Sequence, residues 1–326
     1  MHGQGSAGLL WQNGGVMNET MLSDLALLPE EKAVFERDGV VGPFKLWDAD
    51  DMRAWWRELR AEILNPMNNK FAAYDNPINY DRHLDISLLS RLVSEPAIVR
   101  KLQGLLGPDI LCWRTEWFPK NPGEPGTGWH QVETYAVGEI GRSSLERTRT
   151  VEGVPMELTV WVALTEATKE NGCLKFIPGS QRTWYYNEHG HIQHASNKND
   201  ADPLKHSFFG YDYSELKLSP DWEPDEQQVE YFEMQPGEFV IFTARCVHGS
   251  LPNTSRKQRM GFTIRVVPTH VKVYSGMTEF DEFGHHFDLS RYACVLIAGE
   301  DAYGHNRIAS NNAHGEPFKT VPRLYT

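Results

Sequence analysis

The chain has 326 residues, 40% of them hydrophobic and 23% charged, with 32 Lys plus Arg against 44 Asp plus Glu and a formal net charge of -12. That size suits one β-barrel or sandwich decorated with helices and loops, and so acidic a surface repels a phosphate backbone, which argues against nucleic acid as a partner. Cys112, Cys173, Cys246 and Cys294 are far apart with no CxxC pair, as in a reduced cytoplasmic protein, and no apolar run reaches the roughly 18 residues of a membrane span.

Residues 1–28, rich in Gly, Asn, Gln and Ser, read as an N-terminal tail, and 29–326 as one domain whose first part, 29–107, is helical. Pro29 followed by Glu30 and Glu31 predicts a helix start through its spare amides and dipole, with a stop at Gly39. Residues 48–64 read as a second helix, with Asp50 as cap and Met52, Trp55, Trp56, Leu59 and Ile63 at helical spacing. A third helical pattern runs from Ile86 to Leu106, is broken by Pro96 and closes at Gly107-Pro108. Beyond Pro108 the pattern changes to short β-rich runs at 110–118, 158–164, 172–180, 238–243 and 261–267. Helices first, then many short strands without βαβ alternation, predict a mainly β fold: a double-stranded β-helix (jelly roll, cupin-like) with flanking N-terminal α-helices. Long polar stretches at 138–155 and 183–228 interrupt the strands and read as lids or docking loops.

The chemistry concentrates in the stretch from Thr127 to Tyr135. A histidine, a carboxylate two places on and a distant second histidine form the two-His-one-carboxylate set that jelly rolls present to Fe(II). Here His130 and His248 supply the histidines, 118 residues apart, but position 132 is valine, which cannot ligate. In a regular strand residue 132 shares the face of His130 and Glu133 points the other way, so Glu133 needs a bulge to reach a metal. Arg259, eleven residues after His248, is placed to hold a carboxylate in a bidentate pair. Arg265, inside an apolar strand, is costly to bury unpaired and also asks for an anion. His189, His191 and His194, and the pair His285-His286, sit in polar surroundings and read as solvated. No glycine-rich phosphate loop, GxSxG elbow or HExxH is present, which sets aside the nucleotide, serine hydrolase and zincin readings.

Several segments carry a resemblance: Asn79 to Asp85, Cys112-Trp113-Arg114-Thr115-Glu116, Phe118-Pro119-Lys120, Gly172-Cys173-Leu174, Phe208 to Tyr213 and Arg259-Met260-Gly261-Phe262. From about residue 30 to the C-terminus the chain resembles the phytanoyl-CoA dioxygenase superfamily, and within it the carrier-protein-dependent non-haem iron chlorinases of the syringomycin threonine halogenase type. The resemblance implies iron on His130 and His248, and 2-oxoglutarate on Arg259 with help from Thr127 and Trp161. It places Arg265 just outside the iron ligands and counts Val132, Tyr135 and Arg265 among the residues that shape the reaction. Hydroxylating members carry Asp or Glu at position 132. The halogenases carry alanine or glycine, and the gap admits a halide that restores the charge lost with the carboxylate. Valine matches neither pattern: it cannot coordinate, yet its methyls crowd the space.

The expected function is therefore that of an Fe(II)/2-oxoglutarate-dependent halogenase. It would use O2 and chloride on an unactivated carbon of an aminoacyl or acyl group tethered to an acyl or peptidyl carrier protein, in the cytoplasm. Two other readings stay open at this point: an oxygenase of the same family (hydroxylase, desaturase or cyclase), with Glu133 recruited or with two protein ligands, and a catalytically silent binding homologue.

Overall fold

The computed structural model describes residues 19–65, 68, 80–131, 143–187, 213–282 and 285–323. Among the described residues five α-helices lie early in the chain, with one strand between the second and the third: α1 (Glu19–Ser23), α2 (Pro29–Asp38), α3 (Ala49–Leu64), α4 (Ser87–Leu92) and α5 (Pro96–Leu106). Helix α2 opens on Pro29, the Glu31 carboxylate accepts from the Leu28 amide at 2.8 Å, and Gly39 ends it at φ 76°. Asp48, not Asp50, holds the N-cap of α3. Asp50 lies in the first turn, where it pairs with Arg53 at 2.6 Å. Pro96 does not kink one long helix but starts a second, because its missing N–H costs nothing in a first turn. Residues 19–28, assigned to the tail in the sequence reading, include α1 and pack down. Leu22 is buried, Leu27 sits over Gly104, and Lys101 Nζ donates to the Ala26 carbonyl at 3.1 Å.

The strands are β1 (Val40–Lys45), β2 (Ile110–Lys120), β3 (Thr127–His130), β4 (Leu145–Arg147), β5 (Leu158–Ala163), β6 (Leu174–Phe176) and β7 (Glu230–Phe232). They continue as β8 (Glu238–Phe242), β9 (His248–Ser250), β10 (Arg259–Pro268), β11 (Val271–Val273), β12 (Glu279–Glu282), β13 (His285–Asp288) and β14 (Val295–Ala298). A six-stranded sheet in the order β1-β8-β5-β10-β2-β14 packs on a four-stranded sheet in the order β3-β9-β6-β7, and two short pairs, β4/β11 and β12/β13, flank them. All named pairings are antiparallel. This is the jelly roll that the helix-then-strand order predicts.

Side-chain alternation on the large sheet divides the core. Leu158, Val160 and Val162 on β5 and Phe262, Ile264 and Val266 on β10 pack outward with α3, α4 and α5 in one cluster. From the inner face, Trp161, Ala163, Val240 and Phe242 meet Leu174, Phe176 and Phe232 of the small sheet. Burial of both faces explains why β5 is apolar at every position but Thr159. The inner face also carries Arg259, Thr263 and Arg265, so polar groups in an otherwise apolar strand mark where the cavity opens.

Gly261 illustrates how tight that inner face is. A Cβ added there would lie 1.9 Å from Trp161 Cζ2, so the bare glycine is what lets the indole lie across β10. Gly261→Ala is expected to lower stability by about 1–3 kcal/mol through overpacking. A thermal melt checks this, and an unchanged melting temperature would contradict the packing argument.

Candidate active site

Strands β3 and β9 pair so that His130 lies directly opposite His248, and Thr127 opposite Ser250. Opposed residues of an antiparallel pair share a face, and the two imidazole centroids are 4.1 Å apart. His130 Nδ1 faces the Gly128 carbonyl at 2.9 Å, and His248 Nδ1 faces the Cys246 carbonyl at 2.8 Å. A carbonyl only accepts, so the neutral rings carry their protons on Nδ1 and keep lone pairs on both Nε2 atoms. Burial holds the His130 pKa well below the usual value, with His248 the next cause, and burial brings His248 down to about 4. At neutral pH both rings are therefore in the form that ligates a metal. Tyr213 stacks on His130 at 4.5 Å, and Phe176 and Phe242 flank His248 at 5.8 and 4.9 Å. These contacts fix the rings.

The pair opens on a cavity of about 650 Å³, mouth included, between the two sheets. Arg259, 2% exposed, forms one wall. Its Nη1 donates to the Gly172 carbonyl at 2.6 Å and its Nη2 to the Phe118 carbonyl at 3.2 Å, while the guanidinium lies 5.2 Å over the Trp161 ring. Burial lowers its pKa to about 10, which leaves it cationic at neutral pH. Among the described residues no carboxylate comes within ion-pair distance of it, and its Nε is buried without a hydrogen-bond partner. Trp161 Nε1 is likewise buried and unpartnered. Ser250 Oγ donates to Thr127 Oγ1 at 3.0 Å, which leaves the threonine proton to be given elsewhere. Three unused donors thus converge where the sequence reading put the cosubstrate. A buried guanidinium in that state calls for an anion from outside the described chain.

Arg265, in contrast, has its anions within the protein. Its Nε meets Glu116 Oε2 at 2.8 Å and its Nη1 meets Glu157 Oε1 at 3.4 Å. Arg114 Nη1 reaches the other Glu116 oxygen at 3.7 Å. Sequence reasoning quoted Glu116 only inside a motif and missed it as a wall of the cavity. The available signal was a lone acid in an aromatic-rich strand that, in register, lies opposite Thr263 and close to Arg265. Tyr213, quoted only at the end of a motif, and Ser250, marked by no motif, were missed as well.

Gln131, next to His130, turns away from the cavity: its Nε2 donates to the Thr183 carbonyl at 2.7 Å and its Oε1 accepts from the Tyr185 amide at 2.9 Å. Val132, Glu133 and Tyr135 lie outside the described residues, as do His189, His191 and His194. Among the described residues, no group of three or more His, Cys, Asp or Glu side chains is arranged to hold a metal ion. His286 sits exposed on the β12/β13 pair and bonds Asp281 at 2.9 Å. Among the described residues, no helix is long and apolar enough to cross a membrane.

Two antiparallel sheets with a cross-strand histidine pair at one end and a buried arginine in the cavity between them define a jelly-roll protein of the cupin-like class. The family model described as phytanoyl-CoA dioxygenase (PhyH) matches residues 35–261, and the chain belongs to that family. The chain is 34% identical to a solved structure titled CytC3 with Fe(II) and alpha-ketoglutarate, covering 91% of this chain and 99% of that one at a TM-score of 0.69. A non-heme monooxygenase, ThoJ in its apo form, is similar in fold at 21% identity and a TM-score of 0.61, over 88% of this chain and 90% of that one. The phytanoyl-CoA dioxygenase domain-containing protein 1 homolog of Caenorhabditis briggsae is 31% identical over 108 residues, 33% of each chain, so that match spans about a third of the relative's length.

Proposed function

We propose that the chain is an Fe(II)- and 2-oxoglutarate-dependent oxidoreductase that consumes O2, and that it halogenates an unactivated carbon. The observation that carries the first part is the registered pair His130 and His248, with Nδ1 of each ring on a backbone carbonyl and Nε2 left to ligate, beside a buried Arg259 that meets no carboxylate among the described residues. The residues fit the groups. Two neutral imidazoles suit Fe(II), and the Arg259 guanidinium with the Thr127 hydroxyl and Trp161 indole suits the distal carboxylate of 2-oxoglutarate. The Fe(II) and alpha-ketoglutarate in the CytC3 title support the same pairing.

Bound iron with O2 and 2-oxoglutarate supplies the oxidising power to take a hydrogen atom from an unactivated carbon. The protein's share is positional. Gly128 and Cys246 carbonyls set the tautomer and aim of the two histidines. Arg259 fixes one end of the cosubstrate, and Phe118 and Leu174 keep that part of the cavity apolar. Glu116, clamped by Arg265 and Arg114, gives a charge-balanced wall that does not compete for the iron site.

Halogenation rests on position 132 and on the sequence resemblance to carrier-dependent chlorinases. Valine offers no lone pair to a metal, whichever face it takes. Chloride then fills the position a carboxylate holds in hydroxylating relatives, and the substrate arrives as a thioester on an acyl or peptidyl carrier protein. The protein reconstituted with Fe(II) without oxygen, then given 2-oxoglutarate, O2, chloride and a carrier-bound aminoacyl substrate, is expected to yield a product with the chlorine isotope pattern. Bromide should compete, and Val132→Ala should bind halide more tightly by relieving the crowding. A chlorine-free oxygenated product at saturating chloride, with iron lost in Glu133→Ala, would instead establish the oxygenase reading. Failure to take up stoichiometric iron would leave a binding homologue. Turnover of a free amino acid as efficient as that of its carrier thioester would remove the carrier from the proposal.

A further inference from the structure

The strand that carries His130 is tied to the polar loop that follows β6. Residues 183–187 and 213–218 form a short antiparallel stem: Tyr186 bridges Lys217, the Asn187 amide donates to the Leu216 carbonyl at 2.7 Å, and the Leu218 amide donates to the Tyr185 carbonyl at 2.9 Å. Trp222 braces the stem, stacked on Tyr185 at 4.2 Å. Both limbs land on the same two residues of the chain. From one limb, Tyr213 lays its ring on His130 at 4.5 Å and 20° between planes. From the other, the Thr183 carbonyl and the Tyr185 amide close on the side chain of Gln131.

Gln131 is fully buried, and both N–H groups and the oxygen of its amide are engaged. Nε2 donates to the Thr183 carbonyl at 2.7 Å and to the Arg245 carbonyl, while Oε1 accepts from the Tyr185 amide at 2.9 Å. The third partner leads to the second histidine. Arg245 precedes Cys246, whose carbonyl holds His248 Nδ1 at 2.8 Å, just as Gln131 itself follows His130. A planar amide presents its donors and its acceptor in fixed directions, so it joins three backbone segments only when all three are in register. One side chain therefore meets β3, the turn between β8 and β9 that leads into His248, and the loop stem.

We propose that Gln131 is a positioning residue that couples the loop stem to the iron site: its amide sets β3, the β8–β9 turn and the stem in one register, so that metal binding at His130 and His248 and docking of the stem with Tyr213 favour each other. This rests on the two histidines as the iron ligands. Coupling between two sites is reciprocal, so the metal protects the stem as much as the docked stem tightens the metal. Tyr213 is thus seated in the cavity wall by the same amide that aligns the two histidine-bearing segments.

The test is hydrogen exchange at the stem amides of Asn187 and Leu218 in the full-length protein, kept anaerobic, with and without Fe(II). In the wild type these amides are expected to exchange about tenfold more slowly once the metal is bound, within the usual range of coupling between sites. Gln131→Met keeps the volume and removes the amide. It should still fold, because Thr183 is exposed and Tyr185 and Arg245 are half-buried, so the groups it releases can turn to water. Its dissociation constant for Fe(II) should rise about 10–100-fold, the range for a supporting group at a metal site, and at saturating Fe(II) its stem should exchange as it does without metal. Gln131→Asn, one carbon shorter, reaches the stem or the Arg245 carbonyl but not both, and should lose the response too. A merely structural glutamine would lower the melting temperature of the variants and leave the Fe(II) affinity and the stem response intact, a result that overturns the inference. So does a wild-type stem whose exchange ignores bound Fe(II). A wild type that takes up no Fe(II) overturns the iron reading itself, and this inference with it.

Discussion

Stoichiometric Fe(II) uptake is expected to disappear in His130→Ala and in His248→Ala, with affinity falling by well over the roughly 10–100-fold that loss of a supporting group costs at a metal site. The reason is the size of the donor set. Two imidazoles are the protein ligands proposed, so removing either leaves one. The orienting carbonyls of Gly128 and Cys246 cannot substitute, because they point at Nδ1. Equilibrium dialysis under anaerobic conditions measures the loss, and conversion of 2-oxoglutarate to succinate should vanish with it. Both variants should stay folded, since each imidazole keeps an edge open to the cavity. Normal iron content in either folded variant would remove the assignment. This experiment needs no knowledge of the substrate.

Arg259→Leu is expected to weaken 2-oxoglutarate binding by about 30-fold or more, the range for truncating one member of a buried charge pair. The same change should leave the ligand-free protein at least as stable as the wild type. In that state the guanidinium is buried with an unpartnered Nε and no carboxylate among the described residues, so the desolvation relieved by an apolar side chain outweighs the loss of its bonds to the Gly172 and Phe118 carbonyls. The two effects have opposite signs, which makes the prediction sharp. Thermal melts with and without 2-oxoglutarate should show that the wild type gains stability from the ligand and the variant does not. A variant that is strongly destabilised without ligand would mean that Arg259 serves the fold and not a bound carboxylate.

The candidate site was legible in the sequence through residues whose chemistry is costly to bury. His130, His248 and Arg259 stand out because each is polar beside β-type segments, and burial there demands a purpose. Period-3.6 and period-2 patterns gave the long elements, α3, α5, β2, β5 and β10, because each buries a continuous face. β6 was caught within the run 172–180, but other short strands escaped. β9 is three residues long and β1 contains Gly42-Pro43, so neither offers a run long enough for a period to show. Glu116 escaped for a different reason: its role depends on cross-strand register with β10, which one strand's sequence does not encode. Residues 19–28 were read as tail from composition alone, whereas their leucines find partners on α5, a tertiary contact no local pattern announces.

The pairing of His130 with His248 has a consequence for the sheet itself. β3 is four residues long and, among the described strands, lies at the edge of its sheet with β9 as its neighbour. An ion gripped by both imidazoles is then a rivet across that seam, joining segments that are distant in the chain. By mass action, an ion present at a hundred times its dissociation constant adds about 2.7 kcal/mol to the state in which the seam is closed. Loading the site and zipping the edge strand are thus one equilibrium. The amides of β3 should exchange hydrogen with solvent far more slowly in the metal-loaded protein than in the bare one.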